Sequence, residues 1–432
     1  MPFETRPAAP KRIAVIGGGI SGMGAAHLLA GDHRLVLFES EARLGGHART
    51  VIAGKRGDQP VDTGFIVFNH VNYPHLTRMF ADLGVPTAKS EMSFGASIDG
   101  GRIEYGLASI RAIFAQRRNY ARPAFLKMIR DIVTFNKRAR GALAGPDMTI
   151  GELTYKLGLG DWFRDYYLAP FSGAIWSTPT DKILDFPAEA FVRFFENHAL
   201  MNYTDQHQWY TVQGGSVEYV RRLSDSLYSR GVDIRLSADV NAVRRTAVGA
   251  EVKVDGAGWE SFDEVIFATH SDDTLRLLSD ATGVERTALS AIRYQPNDAM
   301  LHCDEAMMPK RKLCWSSWVY TEAAGQTPDR IGLTYWMNSL QPIPQDDPHF
   351  VTLNNTRSIR EDRIYDQVTF RHPVYDVAAL AAQDTVRAIN GQNRTWFCGA
   401  WMKNGFHEDG LASAVDVADA ILSPDPMQIA AE

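Results

Sequence analysis

The chain has 432 residues, of which 45% are apolar and 22% charged, and its net charge at pH 7 is −6. This length exceeds what one compact core accommodates, so we expect two or three domains. The acidic balance gives no support to a nucleic-acid partner. The three cysteines are widely spaced, which argues against a disulfide framework or a metal site and favours a reducing cytoplasm.

The first predicted elements are a strand, a glycine turn and a helix within "RIAVIGGGISGMGAAHLL". No apolar h-region precedes them, so we predict no signal peptide, and the glycines argue against a membrane span. Gly17, Gly19 and Gly22 fit the G-x-G-x-x-G pattern of dinucleotide-binding domains. The first glycine permits a tight turn, the second admits a pyrophosphate, and the third lets the helix pack on the strand. Ser21 lies at the helix start, whose amides favour phosphate.

A second strand, "RLVLFES", ends at Glu39, where a carboxylate can accept hydrogen bonds from ribose hydroxyls. Directly after it, "SEARLGGHART" offers a cation, Arg43, and a close backbone approach at Gly45 and Gly46. NAD-binding domains usually continue here into a third strand–helix–strand unit. This chain instead runs into the short, strand-like "VDTGFIVFN".

Near the C-terminus, "RTWFCGAWMKNGFHEDGLASAVDVADAIL" again places a helix after a buried strand. The strand is predicted to end at Gly399, and the helix is predicted to open near Gly410. Amides at this helix start, up to that of Leu411, are expected to face the electron-rich N1/O2 edge of a flavin ring and to stabilise its reduced form. Together the N-terminal and C-terminal segments indicate FAD.

Between these segments, "GVDIRLSADVNAVRR" and "DEVIFATH" are predicted to be strands of the same domain, with Val240 contacting adenine through its backbone. The predicted nucleotide domain is discontinuous and consists of residues 1–70, 205–270 and 390–423. Residues 71–204, mostly helical, and 271–389, with several strands, are expected to form the substrate domain. A flexible tail is expected at 424–432.

The motifs "VIGGGISG", "ESEARLGGHA", "VDTGF", the glycine pair of "TVQGGS" and "CGAW…HEDGLASA" resemble those of the flavin amine oxidase superfamily. This superfamily includes monoamine and polyamine oxidases, protoporphyrinogen oxidase and phytoene desaturases. The resemblance implies an α/β fold, with a Rossmann-like FAD-binding domain of the amine oxidase type and a substrate domain of mixed sheet and helices. It also implies FAD contacts at Thr63 and Gly64. Because no cysteine lies in the C-terminal flavin loop, we expect the FAD to be bound non-covalently.

A closer resemblance is to a bacterial subgroup marked by "DTGFIVFN", "WSTP", "LMNYTDQHQWYTVQGGS", "LHCDEAMMP" and "NGFHEDGL". Genes of this subgroup often lie beside methyltransferases that resemble cyclopropane fatty acid synthases. Some members resemble the fatty acyl desaturase of furan fatty acid formation, which acts on a methylated unsaturated chain of a phospholipid. The resemblance thus implies a lipid acyl substrate and a functional link to a fatty acid methyltransferase.

An amine substrate and an acyl substrate require different residues. Amine oxidases of the superfamily commonly place a lysine near the flavin, and none of Lys310, Lys312 and Lys403 matches that position. A desaturase needs an apolar tunnel and a base that takes the second hydrogen as a proton. A plainer interpretation of His407 and Glu408 in the flavin motif is that they shape the loop and hydrogen-bond the flavin ring. The candidate bases are His407 and Glu408 in that motif, and His302 and Tyr294 in the substrate domain.

Residues 110–140 hold nine Arg or Lys and a single acid, Asp131. Apolar residues at spacings of three and four predict a helix that starts at Pro123 and ends near Gly141. A second basic amphipathic helix is expected over 107–120. Two such helices in an acidic protein favour peripheral contact with anionic lipid on the inner face of the membrane. The alternative is an ordinary solvated surface. The predicted stripe consists of Phe125, Met128, Ile132, Phe135 and Ala139.

The sequence therefore favours an FAD-dependent desaturase of a lipid acyl chain, located in the cytoplasm and peripheral on the membrane. Three alternatives stay open. The first is a flavin-dependent amine oxidase, and the second is a dehydrogenase of another apolar substrate, of the carotenoid or porphyrinogen type. The third is a non-catalytic flavoprotein that presents lipid to a partner.

Overall fold

The computed structural model describes residues 9–145, 147–176, 183–202, 206–325, 332–355 and 357–423. The predicted tail at 424–432 and most of the "WSTP" motif lie outside these residues. None of the helices in the described ranges is long and apolar enough to cross a membrane.

Strands occur throughout the chain, and they include every strand that the sequence predicts for the nucleotide segments. The strands are β1 (Arg12–Ile16), β2 (Arg34–Phe38), β3 (Thr50–Ala53), β4 (Gln59–Asp62), β5 (Val67–Asn69), β6 (Thr87–Ser90), β7 (Phe94–Ile98), β8 (Ile103–Gly106), β9 (Trp209–Val212), β10 (Asp233–Arg235), β11 (Val240–Arg245), β12 (Ala250–Val254), β13 (Trp259–Phe262), β14 (Glu264–Phe267), β15 (Arg293–His302), β16 (Trp318–Thr321), β17 (Leu333–Trp336), β18 (Phe350–Leu353), β19 (Ile364–Val374) and β20 (Thr395–Phe397).

Helices connect these strands and dominate the region between β8 and β9. The helices are α1 (Ile20–Leu29), α2 (Pro74–Asp82), α3 (Ile110–Ile113), α4 (Pro123–Ala142), α5 (Ile150–Lys156), α6 (Asp161–Phe163), α7 (Ala169–Trp176), α8 (Ala188–Asn197), α9 (Val217–Ser229), α10 (Ser271–Leu277), α11 (Gly283–Ala291), α12 (Met337–Leu340), α13 (Val377–Ile389) and α14 (His407–Leu422).

The predicted nucleotide segments form a parallel sheet of five strands in the order β10-β2-β1-β14-β20. Ile16, at the end of β1, pairs with Phe38 of β2 and with Phe267 of β14, so the three strands end at the same edge. Their β-branched and aliphatic residues suit strands that are buried on both faces. The glycine turn starts at this edge, where α/β sheets bind ligands.

Alternate residues of β1 point to opposite faces of the sheet. Ile13 and Val15 pack with α1, α2, α9 and α14 on one face. Ala14 and Ile16 pack with β11, β12, α11 and α13 on the other face. Helices α2 and α13 come from the predicted substrate segments, yet they pack against this sheet, so the limits of the two domains stay a prediction.

The predicted substrate segments form a mixed sheet of seven strands in the order β19-β15-β18-β17-β16-β7-β8. Only β16 and β7 run parallel in this sheet as described; the other neighbours are antiparallel. The strands predicted in "KLCWSSWVY" and "IGLTYWMN" are confirmed as β16 and β17. Residues 71–204 are mainly helical, as predicted, but they also supply β6, β7 and β8. The predicted α/β class is confirmed.

Helix α4 confirms the predicted apolar stripe, because all five of its residues are buried. The helix begins at Pro123 and continues one residue past Gly141. Its stripe packs into the large hydrophobic cluster of the substrate side. The exposed Lys127 pairs with the buried Asp131 at 2.5 Å, so not every cation of this helix is free.

The helix predicted over 107–120 is wrong. The structure has the short helix α3 at 110–113 and a single 3₁₀ turn at 117–121, with a break between them. The buried Gln116 and Asn119 cause the break, because they hydrogen-bond to the neighbouring strand. Gln116 Oε1 accepts from Glu104 N at 3.3 Å, and Asn119 Nδ2 donates to the Glu104 carbonyl at 3.1 Å. These tertiary bonds outweigh the local helical pattern.

Asp62, at the end of β4, joins the nucleotide side to the substrate side. Its carboxylate accepts hydrogen bonds from Thr50 Oγ1 at 2.6 Å, Ser216 N at 2.8 Å and Gln341 Nε2 at 2.9 Å. Its own amide donates to Gln341 Oε1 at 2.9 Å. Burial raises the pKa of Asp62 to about 6, although these hydrogen bonds favour the charged form.

We expect the Asp62→Asn variant to reveal this pKa. The folded pKa of Asp62 lies above the ordinary value of 3.8, so the native state binds this proton more tightly than the unfolded state does. The contribution of Asp62 protonation to the free energy of unfolding is therefore greatest below about pH 4. That contribution is lost as the pH rises to about 6, and two pKa units correspond to about 3 kcal/mol. Urea unfolding of both proteins between pH 4 and pH 7.5 measures it. A stability difference that does not change with pH would contradict the assignment.

Candidate active site

The turn after β1 is built from backbone contacts that leave no room for side chains. Gly17 has a φ of +107°, and a Cβ there would lie 2.8 Å from the carbonyl oxygen of Ala268. A Cβ on Gly22 would lie 1.8 Å from the carbonyl oxygen of Gly17, so only glycine lets α1 pack this closely. At Gly19, by contrast, a Cβ would meet nothing within 4 Å. The space beside Gly19 is open, as a pyrophosphate site requires.

Backbone amides hold the carboxylate of Glu39 in place beside this turn. Oε2 accepts from Gly18 N at 2.7 Å, and Oε1 accepts from Glu41 N at 2.8 Å. Glu39 N in turn donates to the carbonyl of Arg235 at 2.9 Å. Val240 starts β11 five residues further along that segment. Its backbone contact to adenine stays a prediction.

The loop after β2 packs both of its glycines on the turn. Gly45 N donates to the carbonyl of Gly18 at 2.8 Å, and a Cβ on Gly46 would lie 3.2 Å from Gly19 Cα. Arg43 donates to the carbonyl of Gly46 at 3.0 Å. Its guanidinium therefore braces the loop that borders the open space.

Thr63 and Gly64 fix the next part of the same loop. Thr63 N donates to the carbonyl of Arg49 at 2.9 Å. A Cβ on Gly64 would lie 2.0 Å from the carbonyl oxygen of His47, so no larger residue fits there. The pair thus positions the backbone that carries His47.

Helix α14 packs its first turns against the start of α1. A Cβ on Gly410 would lie 2.8 Å from Ser21 Oγ, and Leu411 is buried in the cluster beneath α1. Gly399 N donates to Ser413 Oγ at 2.8 Å, which ties β20 to α14. The two segments predicted to bind FAD therefore meet, although they lie near opposite ends of the sequence.

The helix start predicted near Gly410 is wrong. Helix α14 begins at His407, and the amide of Gly410 donates to the carbonyl of Phe406 at 3.1 Å. Asp409 accepts from Phe406 N at 2.8 Å, which closes the first turn at the earlier position. The amides that lack an intrahelical acceptor belong to the first three helical residues. These amides are therefore further candidates for the flavin edge, and the contacts of Gly410 and Leu411 with it stay predictions.

Four histidines from separate segments meet beside the glycine turn: the histidine cluster consists of His47, His270, His372 and His407. The ring of His47 lies 5.8 Å from those of both His270 and His372. His407 stacks on Phe65 at 4.0 Å, and Phe65 N donates to the His47 carbonyl at 2.9 Å. The sequence analysis identified only His407, because no spacing along the chain links the other three.

Burial keeps this cluster uncharged at neutral pH. It lowers the pKa of His47 to about 4 and the pKa values of His270, His372 and His407 to about 3, and the His47 imidazole adds to the effect on the other three. His47 Nε2 is buried and has no hydrogen-bond partner among the described residues. An orphaned nitrogen beside the glycine turn is expected where a bound group supplies the missing partner.

Arg371 on β19 balances the acids at the border of the cluster. It donates to Asp272 at 2.8 Å and to Asp273 at 2.6 Å. The same guanidinium lies 3.0 Å from His270 Nδ1. Because a guanidinium only donates, His270 accepts through Nδ1 and carries its proton on Nε2.

Tyr294 and His302 stand near opposite ends of β15, roughly 26 Å apart at about 3.3 Å per residue, so one site cannot use both. Tyr294 borders the cluster, where its ring stacks on His270 at 4.3 Å. His302 is buried in the seven-stranded sheet. Its Nε2 bonds to Thr352 Oγ1 at 2.7 Å, and its Nδ1 accepts from Asp304 N at 3.1 Å. Both ring nitrogens are occupied by protein groups, and the role of His302 as a base stays a prediction.

Glu408 and His407 have different surroundings, although they are adjacent. Glu408 accepts from the amides of His75 and Leu76, both at 2.9 Å, and so caps the start of α2. Its oxygens serve the fold, which argues against the predicted role as a base. His407 Nε2 lies 2.6 Å from the hydroxyl of Tyr219. Burial raises the pKa of Tyr219, so its hydroxyl stays protonated while it shares this hydrogen bond with the imidazole.

Comparison with known proteins gives one family and several similar folds. Residues 20–300 match the profile of the family described as flavin containing amine oxidoreductase. A comparison with curated protein sequences gives no significant match.

Three solved structures illustrate the similarity in fold. The CLA-producing fatty acid isomerase from P. acnes has a TM-score of 0.70 and 15% identity, over 96% of this chain and 100% of that one. A putative protoporphyrinogen oxidase from Exiguobacterium sp. 255-15 has a TM-score of 0.68 and 17% identity, over 95% and 98%. Cyclohexylamine oxidase from Brevibacterium oxydans IH-35A has a TM-score of 0.68 and 13% identity, over 96% and 99%. At these identities the likeness concerns the fold alone.

The described residues fit FAD, the cofactor. The open space at Gly19 and the first amides of α1 suit the pyrophosphate, and Glu39 is held beside the turn, where it could accept hydrogen bonds from a ribose. Cys398 is buried behind β20, and burial raises the pKa of its thiol to about 12. It therefore offers no thiolate for a covalent link, which agrees with non-covalent binding.

We expect Gly22→Ala and Gly19→Ala to separate folding from cofactor binding. At Gly22 the added Cβ overlaps the backbone, so the flavin-free protein should lose at least about 3 kcal/mol of stability. At Gly19 the added Cβ meets only open space, so stability should change by less than about 1 kcal/mol, while the FAD content after purification falls at least tenfold. Thermal unfolding of the flavin-free proteins and the absorbance ratio at 450 and 280 nm measure the two effects. Equal losses of stability in both variants would contradict this account.

Proposed function

The chain belongs to the family of flavin containing amine oxidoreductases and is an FAD-dependent oxidoreductase, and we propose that it desaturates a methylated, unsaturated acyl chain of a phospholipid. In this reaction the acyl chain loses a hydride and a proton, and a new carbon–carbon double bond forms. FAD, when bound, supplies the two-electron oxidation that takes up the hydride. The observation that carries the proposal is a site of uncharged imidazoles beside an apolar interior.

The absence of charge favours an apolar substrate over an amine. The imidazoles of the histidine cluster are neutral at physiological pH, because burial lowers their pKa values to about 4 or below. The carboxylates of Asp272 and Asp273, which border the cluster, are paired with Arg371. An ammonium group would be held best by a carboxylate that is not already paired.

Aromatic side chains connect the histidine cluster to the substrate-side core. Phe370 stacks on His47 at 5.0 Å and belongs to the large hydrophobic cluster. Phe406, the residue before His407, stacks on Phe194 of α8 at 5.3 Å. An acyl chain that approaches through this region would be surrounded by apolar surface, as desaturation of a lipid requires.

The lysines of the described residues also favour this proposal over an amine oxidase. None of them is buried. Lys310 and Lys312 are exposed at the surface, and Lys403 pairs with Asp416 at 3.2 Å. The lysine that amine oxidases of the superfamily commonly place near the flavin thus has no counterpart among them.

The similar structures are consistent with a fatty acyl substrate. One of them is a CLA-producing fatty acid isomerase, and its TM-score against this chain is 0.70. A fold of this kind therefore accommodates a fatty acid in at least one other protein. A methylated substrate also requires a methyl-transfer reaction upstream, which agrees with the methyltransferase link that the sequence resemblance implies.

Within this proposal a neutral imidazole of the histidine cluster takes the proton. His302 and Glu408 are less suitable, because hydrogen bonds already use their acceptor atoms. His407 Nε2 is occupied by the Tyr219 hydroxyl. His47 Nε2 is buried without a partner in the described structure, so it can accept a proton without breaking a hydrogen bond.

Anaerobic mixing of the flavin-loaded protein with candidate substrates tests the proposal through the flavin absorbance. We expect bleaching by vesicles that carry a methylated, unsaturated phospholipid, together with a conjugated diene in the recovered lipid. Vesicles of saturated phosphatidylcholine and a panel of primary and secondary amines should leave the flavin oxidised. Bleaching by an amine, or no bleaching by any unsaturated lipid in detergent-dispersed form, would overturn the proposal.

A further inference from the structure

Large apolar side chains are exposed among cations on one surface of the substrate side. Ile110 on α3 is 74% exposed, Tyr120 is 59% exposed, and Leu313 is 55% exposed. The exposed cations of the same segments are Arg111, Arg117, Arg118, Lys310 and Lys312. We call residues 110–122 together with 310–313 the basic–apolar surface.

The buried strand β8 holds these two segments side by side. The carboxylate of Glu104 accepts from Lys310 N at 2.9 Å and pairs with Arg311 at 2.5 Å, while its backbone bonds to the side chains of Gln116 and Asn119. The neighbouring glycine, Gly106, lies between Ala112 and Cys314, because a Cβ on it would be 3.3 Å and 3.4 Å from them. The sequence separates these segments by almost two hundred residues, and the fold joins them.

Most of the positive charge on this surface is not neutralised by the protein. Arg311 pairs with Glu104, and Lys312 lies 3.7 Å from Glu305. Arg111, Arg117, Arg118 and Lys310 have no carboxylate within 4.0 Å among the described residues. The cations are also crowded, because Arg118 and Arg102 contribute, after burial, to a lowered pKa of Arg122. These exposed, unpaired cations are available to an anionic partner.

We propose that the basic–apolar surface docks on the face of an anionic phospholipid bilayer. The cations would meet lipid phosphates, and Ile110 and Leu313 would insert between the headgroups. The proposal does not depend on the proposed reaction, because docking needs neither substrate nor flavin chemistry. It also differs from contact through two basic helices, since one of those helices does not exist and a loop at 310–313 takes its place.

The exposed aliphatic residues distinguish a bilayer from a nucleic acid. Phosphate groups along a nucleic acid would engage the cations, but Ile110 and Leu313 would gain little there. A bilayer interface accepts both kinds of side chain. The two cases therefore predict different effects of apolar and cationic substitutions.

Co-sedimentation of the flavin-loaded full chain with vesicles tests the docking. The vesicles contain phosphatidylcholine with saturated chains, either alone or with one third phosphatidylglycerol, so they carry no substrate. The variants are I110D/L313D for the apolar residues and R111Q/K310Q for the cations. Matched controls are V248D, at a residue that is 79% exposed beyond β11, and R286Q, at an exposed arginine of α11.

We expect binding to the anionic vesicles at low salt that is at least tenfold tighter than to the neutral ones. Each cation near an anionic surface changes affinity about fivefold, so R111Q/K310Q should weaken binding more than tenfold, and I110D/L313D should do the same. The controls should bind as the unmodified protein does, and flavin content and Tm report that all variants fold. Equal binding to both vesicles, no binding, or an equal loss in the controls would overturn the proposal. So would tight binding of duplex DNA that only R111Q/K310Q weakens.

Discussion

Helix α1 passes the end of β1 with so little space that a Cβ on Gly22 would lie 1.8 Å from the Gly17 carbonyl oxygen. Because α1 lies this close to the end of β1, its first amides face the open space beside Gly19. Helix α14 packs across α1, with Gly410 against Ser21. That packing brings β20 and the loop before α14 to the edge where β1, β2 and β14 end. The histidine cluster follows from the same geometry, since His270 continues from β14 and His47 follows the glycine pair on the turn.

The histidine cluster inside the protein is uncharged, whereas the basic–apolar surface exposes unpaired cations to water. Desolvation disfavours each charged imidazole in the cluster, and a first imidazole makes the next one harder to protonate. The guanidinium of Arg371, which contacts His270, is compensated by Asp272 and Asp273. At the basic–apolar surface, water screens the cations, so they can stand unpaired at little cost. Polar but uncharged groups inside, and charged groups outside, suit an apolar substrate that comes from an anionic surface.

The sequence could predict those features that depend on neighbours along the chain. The glycine turn, Glu39 after the second strand and the stripe of α4 each follow a local period or spacing, and the structure has all of them. The helix at 107–120 failed because Gln116 and Asn119 bond to β8, a strand that the sequence analysis did not predict. The histidine cluster could not be found either, because its members come from four segments that only the two sheets bring together. Nothing in their spacing distinguishes them from ordinary core histidines.

The seven-stranded sheet connects the two proposed functions and also limits how they cooperate. β8 at one edge carries the basic–apolar surface, and β19 at the other edge carries Arg371 and His372. Six strand spacings of about 4.8 Å place these edges roughly 29 Å apart, or somewhat less in a twisted sheet. A single acyl chain spans only half of a hydrocarbon core of about 30 Å. A phospholipid whose headgroup stayed in the bilayer would therefore not reach the histidine cluster across the width of the sheet. If docking and desaturation belong to one enzyme, the lipid must therefore leave the bilayer before its acyl chain can reach the histidine cluster.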